Sequence, residues 1–456
     1  MMQTDVVILA AGQGSRMKSS LPKVMHKLAG KPMLQHVIER AQALKPEALH
    51  VVIGHGGDQI EQAMAGKSLN LVWQHEQLGT GHAVAQAMPA IGPDSVVLVL
   101  YGDVPLTRSE TLQQLVGIAV QGDLGLLTVT LQDPSGYGRI VRNAVGDVVA
   151  IVEHKDASEQ QKLIREVNTG ILALPSAALH EWLPRLSANN AQGEYYLTDV
   201  IAMAAEEGMR VRAIQPNAEQ EVQGVNNRLQ LAQLERWHQL QQAESLMTEG
   251  VTLADPARVD IRGHLKAGRD VLIDINCVFE GEVTLGEGVE VGPNCLIRNA
   301  VIGAGSHIEA NSIIDGAQVG ESAQIGPFAR LRPGTELASR GKIGNFVETK
   351  KARIGEGSKV NHLTYIGDAE IGREVNVGAG TITCNYDGVN KSLTRIGDGA
   401  FIGSNSSLVA PVEIGAGATV GAGSTVTKAV ADNQLAVARG KQVNLDNWAR
   451  PQKKES

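Results

Sequence analysis

Ile402-Gly403-Ser404-Asn405-Ser406-Ser407-Leu408-Val409-Ala410-Pro411-Val412-Glu413-Ile414-Gly415-Ala416-Gly417-Ala418-Thr419-Val420-Gly421 places an aliphatic side chain at every sixth position, often followed by Gly and often with a small residue four places on. Working back from it, the same period runs through Ile396, Val377, Ile371, Ile366, Ile354, Ile325, Val319, Val291 and Leu285 to Ile273. A period of six fits neither a helix nor a flat sheet. It suits short strands separated by tight corners, with the aliphatic and small residues inward and Gly supplying backbone geometry closed to other residues. Stacked coils then bury a slim aliphatic column, which needs no aromatics. The chain has only four Phe, six Tyr and four Trp, and half of its 51 glycines lie between Gly281 and Val430, a third of the length. Composition alone marks a domain boundary there.

At roughly 150 residues per domain, 456 residues imply two to four domains. A formal net charge of −8 argues against a nucleic-acid partner. The longest apolar runs, Val6 to Ala11 and Val96 to Tyr101, are too short to span a bilayer. The opening Met1-Met2-Gln3-Thr4-Asp5 has no basic or long apolar segment of a secretory signal, so the expected location is the cytoplasm. Cys277, Cys295 and Cys384 form no CxxC pair and no disulfide framework. If three hexapeptides close one coil, Cys277 and Cys295 stack on adjacent coils as two buried thiols.

The repeat is interrupted by Thr383-Cys384-Asn385-Tyr386-Asp387-Gly388-Val389-Asn390-Lys391-Ser392-Leu393-Thr394-Arg395, and an insertion in a solenoid reads as a binding loop on one face. Just upstream, Val360-Asn361-His362-Leu363-Thr364-Tyr365 sets a titratable cluster where repeat residues belong. A lone His is ordinarily a hydrogen-bonded surface residue. Arg332, Lys350, Tyr365 and Asn376, within a few coils of His362, tip the reading to a site: His takes a proton near neutral pH, and Arg and Lys hold a phosphate.

In the front half, the buried strand Asp5 to Ala10 runs into Ala11-Gly12-Gln13-Gly14-Ser15-Arg16-Met17, a strand, glycine loop and cation that suit phosphate. Met17 stands where a dinucleotide fingerprint wants Gly or Ala, and no Walker A motif is present. Leu21-Pro22-Lys23 adds a second cation behind the loop, as a triphosphate needs. Val96 to Leu100 is a second buried strand ending in Tyr101-Gly102-Asp103, a carboxylate where open α/β sheets bind ligands and where Mg²⁺ bridges phosphates. Helical stretches at Met33 to Leu44 and Ser109 to Val120 alternate with the strands and predict a parallel sheet covered on both faces. Residues 226 to 250 predict one amphipathic helix of roughly 35 Å, with Leu231, Leu234, Trp237, Leu240 and Ala243 on one side and Gly250 as its C-cap, serving as a connector.

The hexapeptide pattern resembles left-handed parallel β-helix proteins, and Leu9-Ala10-Ala11-Gly12-Gln13-Gly14-Ser15-Arg16-Met17 with Leu21-Pro22-Lys23 resembles the sugar-nucleotide pyrophosphorylase signature. Joined to His362, Asn376 and the Asn385-Tyr386-Asp387-Gly388 loop, the whole chain resembles the bacterial bifunctional N-acetylglucosamine-1-phosphate uridylyltransferase and glucosamine-1-phosphate acetyltransferase family. The resemblance implies an α/β Rossmann-like nucleotidyltransferase domain over 1–226, a linker helix over 227–250 and a left-handed β-helix acetyltransferase domain over 251–456. It implies that the β-helix acetylates glucosamine 1-phosphate from acetyl-CoA with His362 as base. Arg332 and Lys350 would hold the sugar phosphate, Tyr365 and Asn376 the sugar, and Ala379, Asn385, Tyr386, Ser404, Ala422 and Arg439 acetyl-CoA. The front half would then couple N-acetylglucosamine 1-phosphate to UTP, with Asp103 and Asn226 holding Mg²⁺ and with Arg16 and Lys23 neutralising phosphates. Leu9, Ala10, Ala11, Gly12, Gln74, Gly79 and Thr80 would recognise uridine beside Tyr101 and Gly102, and Gly138, Glu153 and Asn168 the sugar. Those last three otherwise read as turn-rich surface loops. The family is typically trimeric, with acetyl-transfer sites between subunits, and its product feeds peptidoglycan and lipopolysaccharide synthesis. A rival reading keeps only the front half active, with the β-helix a structural or regulatory module; a non-enzymatic trimeric scaffold is a third. The basic ending from Arg450 to Ser456 reads as a solvated tail, with Trp448 anchoring the chain before it.

Overall fold

The computed structural model describes residues 3–453; Met1, Met2, Lys454, Glu455 and Ser456, and with them the last part of the basic ending, lie outside the described residues. The chain divides into two compact units, Met1–His238 and Gln239–Ser456.

The first unit is built on a nine-stranded sheet whose central strands are Gln3–Leu9 and Ser95–Tyr101. Alternate residues of each strand enter different cores. Val6 and Ile8 pack under the helices Met33–Gln42, Gly57–Met64 and Ser109–Val120, while Val7 and Leu9 pack under Thr80–Ala87, Ser176–Trp182 and Asp199–Glu206. Both faces are covered as expected, but the sheet is mixed rather than parallel. Glu166–Pro175 runs antiparallel between Leu124–Thr130 and Ser95–Tyr101. It arrives after the antiparallel hairpin Arg139–Arg142 and Val148–Val152, which turns the chain round without a crossover helix. Asn168 therefore lies in a strand, at a bulge before Leu172, and not in a surface loop.

The second unit is a parallel β-helix. Its strands stack coil on coil in register, Ile273 on Val291, Val291 on Ile308 and Ile308 on Ile325. These steps are of 18 and 17 residues, so the repeat is hexapeptide-based without being uniformly eighteen. The column of Ile, Val, Leu and Ala side chains from Val259 to Val430 is buried throughout. Cys277 and Cys295 are neighbours in it and both are free; the adjacent Cys295 sulfur and then burial push the Cys277 thiol up. The Gly after most of the aliphatic residues is required by close approach rather than by unusual φ, Gly326 at φ 97° being an exception. A Cβ on Gly286 would lie 2.6 Å from the Ala304 nitrogen of the next coil. The left-handed corner positions are shared between Asn276, Asn294, Asn311 and Asn405 and other glycines such as Gly288 and Gly305.

The helix spans Arg228–Thr248. Gly250 takes φ 101°, with Gly250 N–H on the Met247 carbonyl and Val251 N–H on that of Leu246, a Schellman end as predicted. Leu234 belongs to the core with Met17, Leu28 and Met33, whereas Ala243 and Leu246 belong to the β-helix core, so the division between units falls inside the helix. Beyond Gly440 the described chain is exposed, Trp448 included at 71%.

Candidate active sites

The first site lies at the carboxyl ends of the two central strands. Leu9, Ala10, Ala11, Gly12, Lys23, Gln74, Gly79, Thr80, Tyr101 and Asp103 line one cleft of about 560 Å³, joined by Gln13, Gln77 and Glu194. The sequence thus placed ten of its residues in a common wall. Gly14 adopts φ 62°, and a Cβ there would stand 2.6 Å from Lys23 Cβ, which is how the glycine loop settles onto the second cation. Lys23 Nζ bonds Asp103 Oδ2 and lies 3.4 Å from Asn226 Oδ1, while Arg16 Nη2 donates to the same Asn226 oxygen at 2.8 Å. A carboxylate and an amide oxygen therefore converge on one cation. That hard-oxygen pair fits a divalent cation completed by phosphate oxygens and water. No cluster of three His, Cys, Asp or Glu suited to a metal occurs among the described residues.

The helix is more than a connector here. Asn227 Oδ1 caps its first turn by accepting from Gln230 N–H, and Gln230 Oε1 accepts from Asn226 N–H, fixing the Asn226 backbone. Val225 N–H donates to the Asp103 carbonyl, which brings Asn226 beside Asp103.

Gly138, Glu153 and Asn168 also meet. Asn168 N–H donates to the Gly138 carbonyl, and a Cβ on Gly138 would touch the Glu153 carboxylate. Burial pushes the Glu153 carboxyl up, against a hydrogen bond from Thr198 Oγ1 at 3.1 Å. Burial, then the charges of Glu153 and Asp103, push the Tyr101 phenol up, while Thr80 bonds it. Arg139, which the sequence reading passed over, is 1% exposed. It bonds the Tyr137 carbonyl and, at 3.3 Å, His154 Nδ1, clamping the residues that flank Gly138 and Glu153.

On the β-helix, His362 stands exposed at a corner, its Nδ1 2.7 Å from Asn345 Oδ1 on the coil below. An amide oxygen accepts, so the proton sits on Nδ1 and Nε2 carries the open lone pair. The same corner continues upward. Gly380 N–H donates to the His362 carbonyl, Asn405 N–H to that of Ala379, Gly423 N–H to that of Ser404, and Arg439 Nη1 to that of Ala422. Ala379, Ser404, Ala422 and Arg439 are thus aligned along one edge above His362. Asn376 stacks on Lys359, on the face before that corner, and is not brought against His362.

Past the corner, Glu348 and Tyr365 are register partners, and Arg332 Nη1 pairs with Glu348 Oε1 at 2.7 Å. The Lys391 ammonium, then the Arg332 guanidinium, hold Lys350 below the usual lysine range, so three cations gather there. In the inserted loop Asn385 Nδ2 donates to Asp368 Oδ2 at 2.5 Å, and Tyr386 bridges to Lys391 and is exposed. Lys391 and Asn345 were missed by the sequence reading. Asn345 lies 17 residues before His362, one coil, so the repeat period could have found it.

Comparison with known proteins covers both units. The MobA-like NTP transferase domain family matches residues 6–191, the bacterial transferase hexapeptide family residues 393–428, and the GMPPB C-terminal domain family residues 261–343. The bifunctional protein GlmU of Marinobacter nauticus is 64% identical over 98% of this chain and 99% of that protein. Those of Pseudomonas entomophila and Idiomarina loihiensis are each 61% identical, over 99% of both chains and 100% of both chains respectively. Identity above 60% along the full length of both partners, with a nucleotidyltransferase domain followed by transferase hexapeptides, leaves one assignment: the chain belongs to the bifunctional GlmU family.

Proposed function

We propose that the two sites divide UDP-N-acetylglucosamine synthesis between them, the β-helix acting first. Glucosamine 1-phosphate is held through its phosphate by Arg332 and Lys350, with Tyr365 and Asn376 on the sugar. The amine nitrogen attacks the thioester carbonyl of acetyl-CoA, the C–S bond breaks, and the amine proton passes through His362 Nε2 to the departing thiolate. Asn345 keeps the other ring nitrogen protonated. Ala379, Asn385, Tyr386, Ser404, Ala422 and Arg439 take acetyl-CoA, with Arg439 facing a CoA phosphate. Exposed His362 and the apolar corner beside it, with Phe328 and Phe346 stacked at 5.3 Å and Leu363 65% exposed, support a homotrimer in which a second copy completes each acetyl-transfer site.

In the cleft, a phosphate oxygen of N-acetylglucosamine 1-phosphate attacks the α-phosphorus of UTP and the bond to pyrophosphate breaks. Mg²⁺, held by Asp103 and Asn226, supplies charge neutralisation when bound. Arg16 and Lys23 neutralise the phosphates, Leu9 to Gly12, Gln74, Gly79 and Thr80 recognise uridine beside Tyr101 and Gly102, and Gly138, Glu153 and Asn168 hold the sugar. Positioning and electrostatics carry such a step. The boundaries proposed for the working parts are 1–226, 227–250 and 251–456. No helix of the described residues is long and apolar enough to cross a membrane; three free thiols suit the cytoplasm, where we place the enzyme.

The observation that carries the reading is a cleft at the carboxyl ends of two central strands and a His362 edge on one chain of a bifunctional family. The test is a mass-spectrometric product assay with glucosamine 1-phosphate, UTP and Mg²⁺. UDP-N-acetylglucosamine should appear only when acetyl-CoA is added. Product formed solely from preformed N-acetylglucosamine 1-phosphate would sink the acetyltransferase half.

A further inference from the structure

Gln74 is 3% exposed yet lines the cleft. Its amide nitrogen Nε2 lies 3.1 Å from the Gly79 carbonyl oxygen and 3.0 Å from His82 Nδ1. A carbonyl oxygen can only accept, so the amide end facing Gly79 must be the NH₂. Its second proton then points at His82 Nδ1, which must carry the lone pair. His82 Nδ1 therefore accepts and the ring proton sits on Nε2; Gln86 Nε2, 3.1 Å from His82 Nε2, donates to the His82 carbonyl oxygen at 3.2 Å. Both amide protons of Gln74 are engaged inside the protein. Its Oε1 has no hydrogen-bond partner among the described residues, and is left as an acceptor in the cleft wall.

We infer that His82 is a positioning residue for base choice: by holding the Gln74 amide in one orientation it presents an acceptor alone to the nucleotide base, and so selects a pyrimidine with an imide N–H over one with a ring-nitrogen lone pair. This rests on the proposed reading of Gln74 as a uridine contact. Uracil offers N3–H to Oε1, whereas cytosine at the same position offers a lone pair and repels it. Without His82, only the Gly79 carbonyl opposes a half-turn of the amide, and the turned amide would offer cytosine its NH₂. A site with a fixed acceptor discriminates; one that can rotate does not.

The experiment compares kcat/KM for UTP and CTP in the nucleotidyl-transfer reaction of the full-length protein, in wild type, His82→Phe, His82→Asn and Gln74→Leu, with acetyl transfer as a control on the same samples. The UTP/CTP ratio should fall by about tenfold in His82→Phe, the value of one lost hydrogen bond, and recover in His82→Asn, whose amide oxygen can accept. A side chain that merely packed would lower both nucleotides together and leave the ratio alone. If His82→Phe does not fold, His82→Leu takes its place, since it too removes the ring nitrogen that accepts from Gln74, and should lower the same ratio by a similar factor. An unchanged ratio in an active His82→Phe, or in His82→Leu where it replaces that variant, overturns the inference. An unchanged ratio in Gln74→Leu overturns the uridine reading itself, and a collapse in Gln74→Leu with none in His82→Phe overturns only the role of His82.

Discussion

The two sites use opposite means to place reactive groups. In the cleft, side chains are buried or half-buried and bond one another, Gln74 on His82 and Lys23 on Asp103 and Asn226, and burial pushes the Glu153 carboxyl up. On the β-helix, His362 and Tyr386 are exposed, and the candidate residues are strung along a corner and the faces on either side of it by the coil repeat. A cleft desolvates its own ligand. An open edge gains a wall from something else, in the proposed trimer a second copy, so the second site should depend on assembly where the first does not.

The largest expected effect separates the two halves. His362→Ala should lower acetyl transfer by about 10²- to 10⁴-fold, the usual worth of a general base, and leave uridylyl transfer unchanged. Asp103→Ala should lower uridylyl transfer by about a thousandfold and leave acetyl transfer unchanged. Both rates on both purified variants decide it; cross-inhibition in either direction would break the picture of two independent sites.

Next comes Asn345→Leu. It removes the acceptor that holds the His362 proton on Nδ1, so kcat for acetyl transfer should fall about tenfold with little change in KM for acetyl-CoA. A change confined to KM would mean that Asn345 touches substrate. Lys391→Ala is smaller: KM for glucosamine 1-phosphate should rise a few-fold, and the rise should shrink as salt screens the remaining cations. An effect independent of salt would argue for loop geometry instead.

These contrasts also explain what was legible in the sequence. The coil repeat writes its geometry into the chain at fixed spacing, so the β-helix, its buried cysteine pair and the special corner at His362 could be read directly. The glycine loop was legible because strand, glycine and cation are contiguous from Asp5 to Lys23. His82 and Arg139 were not, because their partners lie across turns or strand pairings that no local pattern encodes. The antiparallel strand Glu166–Pro175 was missed for a related reason. Its Asn168-Thr169-Gly170 bulge carries turn-type residues, and tertiary pairing with Leu124–Thr130 overrides them. The Gly after most of the aliphatic residues answers to the close stacking of coils, invisible in one dimension, more than to a special φ.

The smallest effect tests whether the cleft sacrifices stability for function. Burial raises the Glu153 carboxyl above its ordinary range, with Asp156, Asp199 and Glu194 adding to it. The folded state therefore binds the proton more tightly than the unfolded chain does. Stability tied to Glu153 is fully present below the ordinary carboxylate value and is lost as pH rises through the raised one, so at neutral pH the buried charge is a net cost. Glu153→Gln keeps the shape and the acceptor for Thr198 while removing that charge. Its thermal midpoint for the first unit should exceed that of the wild type at pH 7 to 8, and the gap should close as pH falls below about 4, where the native carboxyl is protonated in both states. The same substitution should raise KM for N-acetylglucosamine 1-phosphate. A gap that persisted at low pH would trace the gain to packing instead of charge. Loss of stability at every pH would mean that the carboxylate is paired in a way the cleft geometry does not show.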